Sequence, residues 1–419
     1  MGRAGRLALV ASLYSTQNLC LAAYNYTFLI AAQKAGVSLQ LIGAAAGIAM
    51  ILVLKFLWAP LLDRFGSRRF GHYRGWLLLC QSLLALGALG LAALDPGRHF
   101  VLIMAVFAVL FVFAGSQDVA ADATTTRLLP PADRGIGNGI QSAGGSFAQV
   151  MGGGLLLFVS GSLGWGAAMV TLAVLSALPL PLVLRWSEHE TTAHLDAPHL
   201  PKRALASFFT RPGVLRWAFA LMPLYLAGGT VSYNLVRPLL TAAGWSEARL
   251  GVVVVIAGGL AGIVSGVAAG LVVSRLDARK SLLVLGLVQA GASLATIGLT
   301  LDPQSVPLAV AVVIASNAGF AAIGAVVYTI SMDLTRIGSS GSDFTLFTTL
   351  SGIIMVIAGG LGIGLSGSLG FTAVSVGAAV LAAVGLALTL ALAAPVLEEA
   401  QASRRRLSLA ASDAAVEAP

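Results

Sequence analysis

Three ionisable residues, Lys55, Asp118 and Asp122, stand inside stretches of sequence that are otherwise almost free of charge. The two aspartates are four residues apart, so a helix places them one turn apart on a shared face. A lysine and two carboxylates at one depth can pair, and a carboxylate so placed can take up and release a proton as its surroundings change. Alternatively, Lys55 extends its stem to a helix end and Asp122 simply ends its helix in water. Charged groups are costly in apolar surroundings, which makes each of the three a candidate for function, with Asp118 the leading one. All five histidines lie outside the apolar runs, which argues against a histidine proton relay. Cys20 and Cys80 lie within such runs, so neither a disulfide framework nor a metal site is expected, and no cofactor is implied.

A second set is suited to holding a solute. Tyr14, Gln17 and Tyr24 recur at helical spacing, with Asn18 and Asn25 on an adjacent face. In the other half of the chain Tyr225, Tyr233, Asn234 and Arg237 form a comparable group. Arg237 can hold a carboxylate in a bidentate fork or reach outward to lipid headgroups. The aromatic residues can equally be interface belts or helix packing. Gln81 and Gln289 suit interhelical hydrogen bonds.

The elements that must position these residues follow from composition. Of 419 residues 58% are apolar and only 10% charged, against roughly 25% charge in an ordinary soluble domain. A disordered chain is excluded by the same figures. Runs of about 20 apolar residues, long enough to cross a bilayer core, recur twelve times. They lie near Leu7–Ala31, Leu39–Leu61, Gly75–Leu94, Phe100–Ala123, Ile136–Ser160, Trp165–Leu184, Leu215–Leu240, Leu250–Val273, Leu282–Leu301, Val306–Met332, Phe344–Ser366 and Phe371–Ala393. The expectation is an all-α polytopic membrane protein. Its parts are a six-helix bundle at 1–185, a cytoplasmic linker at 186–212, a second bundle at 213–394 and a cytoplasmic tail at 395–419. The first run is too long for a cleaved signal peptide and carries Gln17 and Asn18, so it reads as a retained helix.

Twenty of the 25 basic residues fall on one side of the expected topology, and only Lys34, Arg98 and Arg249 on the other. The excess marks the cytoplasmic side, so both termini face inward. The net charge of +8 therefore reflects topology and gives no reason to expect nucleic acid.

The chain also repeats itself. Ala35-Gly-Val-Ser-Leu-Gln-Leu-Ile-Gly43 returns 208 residues later as Ala243-Gly-Trp-Ser-Glu-Ala-Arg-Leu-Gly251, and Asp95-Pro96 returns as Asp302-Pro303. Two parallel six-helix halves, with a solute site expected between them near mid-membrane, is the layout of a secondary transporter. A selectivity loop or ring of charges, as a channel needs, is missing from the pattern. A membrane-embedded acyltransferase would leave the duplication unexplained, and the spans hold no nucleophile–base pair, so no enzyme is expected.

After the second run comes Ala59-Pro-Leu-Leu-Asp63-Arg64-Phe-Gly66-Ser-Arg68-Arg69, echoed by Gly270-Leu-Val-Val-Ser274-Arg275-Leu-Asp277. The first segment resembles the loop signature of the major facilitator superfamily. Asp63 can pair with neighbouring basic groups while Gly66 permits a tight turn, so Asp63, Arg64, Gly66, Arg68, Arg69, Arg275 and Asp333 are candidate gate residues. The basic members can also serve only to fix topology. The fifth run carries Gly135, Gly139, Gly144, Gly145, Gly152 and Gly154, spacings that let helix backbones approach closely.

Longer segments look like one branch of that superfamily. Lys55-Phe-Leu-Trp-Ala-Pro-Leu-Leu-Asp63-Arg64 and Gln117-Asp118-Val-Ala-Ala-Asp122-Ala resemble the peptide/acetyl-CoA/drug transporter family, which includes muropeptide permeases of the AmpG type. Leu129-Pro-Pro-Ala-Asp133-Arg134-Gly135, Gly137-Asn138-Gly139-Ile-Gln141 and Ser342-Asp343-Phe344-Thr345-Leu346 look closest to the RhtX/FptX siderophore permeases. The resemblance implies a major facilitator fold and a monomer in a bacterial inner membrane, with Gln117, Asn138 and Gln141 as further substrate contacts. It also implies proton-driven import of a siderophore, ferric or free. Muropeptide import is the alternative, and export of a drug or metabolite the third.

Overall fold

The computed structural model describes the chain except residues 39–40, 43–44, 46, 68, 189–207, 209, 212, 337–338 and 418–419, and the side chains at 247 and 406–417. Arg68, Gly43 and most of the expected linker therefore lie outside the described residues.

The described chain is helical, as a bilayer requires of a backbone that must satisfy its own hydrogen bonds. Ten helices are long and apolar enough to span a membrane. Named by the order of the expected runs, they are span 3 (His72–Ala92), span 4 (Phe100–Leu128), span 5 (Pro131–Leu163), span 6 (Trp165–Arg185) and span 7 (Val214–Ala242). Span 8 (Ala248–Arg275), span 9 (Ala278–Leu301), span 10 (Val306–Asp333), span 11 (Ser340–Leu369) and span 12 (Phe371–Leu392) complete the set. A tail helix, Ala394–Glu417, follows.

The first two expected runs are built from shorter pieces. Arg3–Gln17 gives way at Asn18 to Leu19–Ala22, a wide π-helical stretch at Ala23–Phe28, and Leu29–Lys34. In the second, Met50–Val53 tightens into a 3₁₀ segment, Leu54–Leu57, before Ala59–Arg64. Lys55 sits in that tightened turn.

The turns preserve the duplication. Gly36 and Gly244, 208 residues apart, both take left-handed backbone angles, φ 86° and 84°. Each ends its helix in the same way: Val37 N donates to Ala32 O and Trp245 N to Leu240 O, both at 3.1 Å. A side chain would strain that conformation, so glycine recurs there.

The described residues group into two compact units. Unit 1 lies within Met1–Leu128, Gly144–His199 and Gly338–Thr345; unit 2 within Leu129–Ala143, Leu200–Ile337 and Leu346–Pro419. Unit 1 has an aromatic core in which Tyr24 meets Phe28, Phe107 and Phe111 with ring centroids 5.0–5.5 Å apart. Unit 2 packs Trp217, Leu221, Leu226, Ile323 and Ile330 with Phe347. Apolar residues such as Phe158, Val264 and Leu301 are exposed, as expected of surfaces that face lipid.

Candidate functional site

In unit 1 the three isolated ionisable residues come together. Lys55 Nζ forms an ion pair with Asp118 Oδ2, both side chains nearly excluded from solvent, and Lys55 also interacts electrostatically with Asp122. Gly115 makes room for the pair: a Cβ there would lie 3.3 Å from Lys55 Cβ. Beside it, Trp58 Nε1 donates to Ser116 Oγ at 3.1 Å. Lys55 therefore does not extend its stem to a helix end. Asp122 does not end its helix in water either: it is fully buried, six residues before span 4 stops, and accepts a bond from the Tyr14 hydroxyl at 3.0 Å.

Buried carboxylates beside a lysine are side chains of a kind that can take up and release a proton. Asp118 Oδ1 and Gln117 Oε1 are buried without a hydrogen-bond partner, while Gln117 Nε2 donates to Leu13 O at 3.4 Å.

Asp63 performs a different task. Its Oδ1 accepts from the Tyr73 hydroxyl at 2.7 Å, and its Oδ2 accepts from the backbone N–H of Ser342 at 2.8 Å and from the Ser342 hydroxyl. The carboxylate thus caps the first turn of span 11, whose unpaired N–H groups and helix dipole favour a negative charge. Arg64 and Arg69 are exposed and lie over the rings of Phe65 and Phe70. Gly66 is required by close approach: a Cβ would meet the His72 ring at 2.2 Å. The left-handed turn expected of Gly66 belongs instead to Gly71, φ 93°. In the echo, Arg275 is exposed at the end of span 8, and Asp277 caps span 9 by accepting from Lys280 N at 2.9 Å. That bond, with the Lys280 side chain, holds the Asp277 carboxyl below the usual carboxylate range.

In unit 2 Asp333, the last residue of span 10, is buried between two arginines. Arg134 Nη1 bonds Oδ1 at 2.9 Å, and Arg404 bonds Oδ2 through Nε at 2.6 Å. Asn138, one turn after Arg134, donates to Arg134 O at 2.9 Å and to Thr329 Oγ1 at 3.2 Å, and Gln141 is buried nearby on the same helix. Gly139 lets the helices touch: a Cβ would lie 2.5 Å from Gly270 Cα.

The expected solute contacts divide. Tyr24 is fully buried, its ring in the aromatic core and its hydroxyl on Ala45 O at 2.7 Å. Tyr225 is likewise committed, to Leu282 O at 2.9 Å. Both hydroxyls bond backbone carbonyls within their own unit. Asn234 packs on Gly359 and donates to Thr230 O at 2.9 Å, and Tyr233 stacks on Phe320 with centroids 4.3 Å apart. Gln17 is half-buried, whereas Asn25 and Arg237 are exposed, Arg237 six residues from the start of the turn that ends span 7.

Sequence reasoning places Tyr14 only among solute contacts and gives neither Arg134 nor Arg404 a partner; their buried partners lie more than 70 residues away. Glu188 was missed altogether. It is buried and accepts from the backbone N–H groups of Tyr73 and Arg74, capping span 3 from a distant segment. Among the described residues no group of three or more metal-ligating side chains is assembled.

Residues 10–359 match the sequence profile of the Major Facilitator Superfamily. The chain is 30% identical over 332 residues to the anhydromuropeptide permease of Escherichia coli K12, covering 77% of this chain and 66% of that protein, just under two thirds of its length. It is 22% identical over 285 residues to a Rickettsia felis protein named as an AmpG-type transporter, covering 65% of this chain and 69% of that one. Among solved structures, the E. coli fucose:proton symporter FucP aligns with a TM-score of 0.65, over 91% of this chain and 97% of that one, at 16% identity.

Proposed function

The chain belongs to the major facilitator superfamily, and from that premise we propose that this secondary transporter imports an anhydromuropeptide, driven by protons. The cargo rests on the likeness to the E. coli permease. The coupling rests on one geometric observation: Lys55 and Asp118 form a buried ion pair with a second buried carboxylate, Asp122, held by Tyr14. Asp118 and Asp122 share the proton-carrying role, Lys55 is their counter-cation, and Gln117, Gln17, Asn138 and Gln141 are the solute contacts. Asp63 on Ser342 and Asp333 on Arg134 are the gate contacts that break and re-form as the site changes access. The bias of arginine and lysine supports a bacterial cytoplasmic membrane with both termini inside.

The named relatives favour this cargo over the siderophore suggested by the fifth run. Cells lacking their own permease, expressing this chain, separate the two. Labelled anhydromuropeptide should accumulate and a protonophore should abolish the accumulation. Uptake of a ferric siderophore alone would overturn the cargo assignment.

A further inference from the structure

From the sequence, residues 395–419 are expected only as a cytoplasmic tail after the last span. In the structure it is docked. Val396, Leu397, Ala400 and Ser403 are buried at helical spacing, and the first three join the apolar core that holds Val214, Trp217 and Leu334. Two ion pairs fix its register: Glu399 meets Arg211 at 2.9 Å, and Arg404 meets Asp333 at 2.5 Å. Arg211 also donates to Leu334 O, so the tail is tied on both sides of the end of span 10.

Asp333 is therefore a carboxylate with one oxygen for each of two arginines. Arg134 holds Oδ1 with both side chains buried, whereas Arg404 holds Oδ2 while remaining about one-third exposed. Removing one partner of a buried ion pair is costly because it strands the other charge. If Arg134 were the sole counter-ion, it could leave Asp333 only by stranding that carboxylate.

We propose that Arg404 holds the charge of Asp333 while Arg134 departs, so that the tail helix sets how readily the start of span 5 is released. Arg404 is thus a positioning residue of the gate. The idea rests on the transporter reading, in which that contact must open, but on no particular cargo. Two arginines competing for one carboxylate also weaken each other's hold, so loss of Arg404 tightens Arg134 on Asp333. A merely structural role for the tail predicts the opposite, a looser end of span 5.

Amide hydrogen exchange on the full-length purified protein in lipid nanodiscs distinguishes the two. With Arg404→Ala, exchange at residues 135–141 should slow by at least tenfold, and Arg404→Lys should restore most of the original rate. In an Asp333→Asn background, where no charge needs holding, Arg404→Ala should change exchange by less than twofold. Faster or unchanged exchange in Arg404→Ala would overturn the proposal, as would an equal slowing in the Asp333→Asn background. Should Arg404→Ala not fold, Arg404→Gln gives the same comparison. Cargo uptake by the unaltered chain is scored separately, so failure of the transport reading is distinguishable from failure of this one.

Discussion

The two units carry echoes of one another in sequence, yet they place their charges differently. Unit 1 carries Lys55, Asp118 and Asp122 within its helices, buried and joined. At the positions 208 residues on from Lys55 and 207 on from the two aspartates, unit 2 has Ile263, Ala325 and Thr329, none of them charged. Its own buried charge, Asp333, stands at the last residue of a span and is matched by arginines at helix starts and in the tail. Unit 1 carries charge within its helices, and unit 2 carries it at the end of a span. A charge within a span is a lasting cost that only a task there offsets, whereas one at a helix end is met by dipoles and arginines. The coupling machinery is accordingly expected in unit 1 alone.

The strongest way to break that contrast is to strip the interior charges. Asp118→Asn removes the direct partner of Lys55 but leaves Asp122 beside it, so accumulation should be lost altogether while stability, read as thermal unfolding in detergent, falls by about 1–3 kcal/mol. Replacing all three, Lys55→Met with Asp118→Leu and Asp122→Asn, should recover most of the stability and none of the accumulation. Recovered accumulation would end the coupling role. The converse change, Ala325→Asp, places a carboxylate where unit 2 has no lysine and should cost several kcal/mol. A variant as stable as the original would mean that unit 2 tolerates interior charge as well as unit 1 does.

Smaller effects sharpen the picture. Tyr14→Phe removes one donor to the buried Asp122 carboxylate and should cost about 1–3 kcal/mol, with slower uptake but intact expression. Asp277→Ala removes a helix cap far from the cluster and should cost about 1 kcal/mol without altering proton dependence. Because its carboxyl is held low in the folded chain, the cap's contribution is full above the unfolded value of about 3.9 and is lost as the pH falls through the folded value. A melt that weakens instead on raising the pH from 5 to 7 at this site would contradict the cap.

Much of this was legible in the sequence because the bilayer leaves few options. Length and apolarity place spans 3 to 12 to within five residues at each end, and the repeat marks Gly36 and Gly244 as equivalent turns. The isolated charges Lys55, Asp118 and Asp122 stood out because nothing else in those runs is charged. Partners were harder to read. Tyr14 and Tyr24 share a helical face in sequence, but the break at Asn18 and the wide turn at Ala23–Phe28 send one to Asp122 and the other into an aromatic core. Arg134 and Arg404 look like any topology-setting arginines, and only long-range packing brings them to Asp333. Gly66 was read for its backbone freedom, when the His72 ring beside it is what excludes a side chain.

The central claim, that cargo and protons move together through the cluster of unit 1, is tested most directly in sealed vesicles holding the purified protein and an internal pH indicator. Added anhydromuropeptide should acidify the interior as it enters, and the protein with Lys55→Met, Asp118→Leu and Asp122→Asn should show no such change. Cargo entry without acidification, or acidification that survives in the charge-free variant, would contradict it.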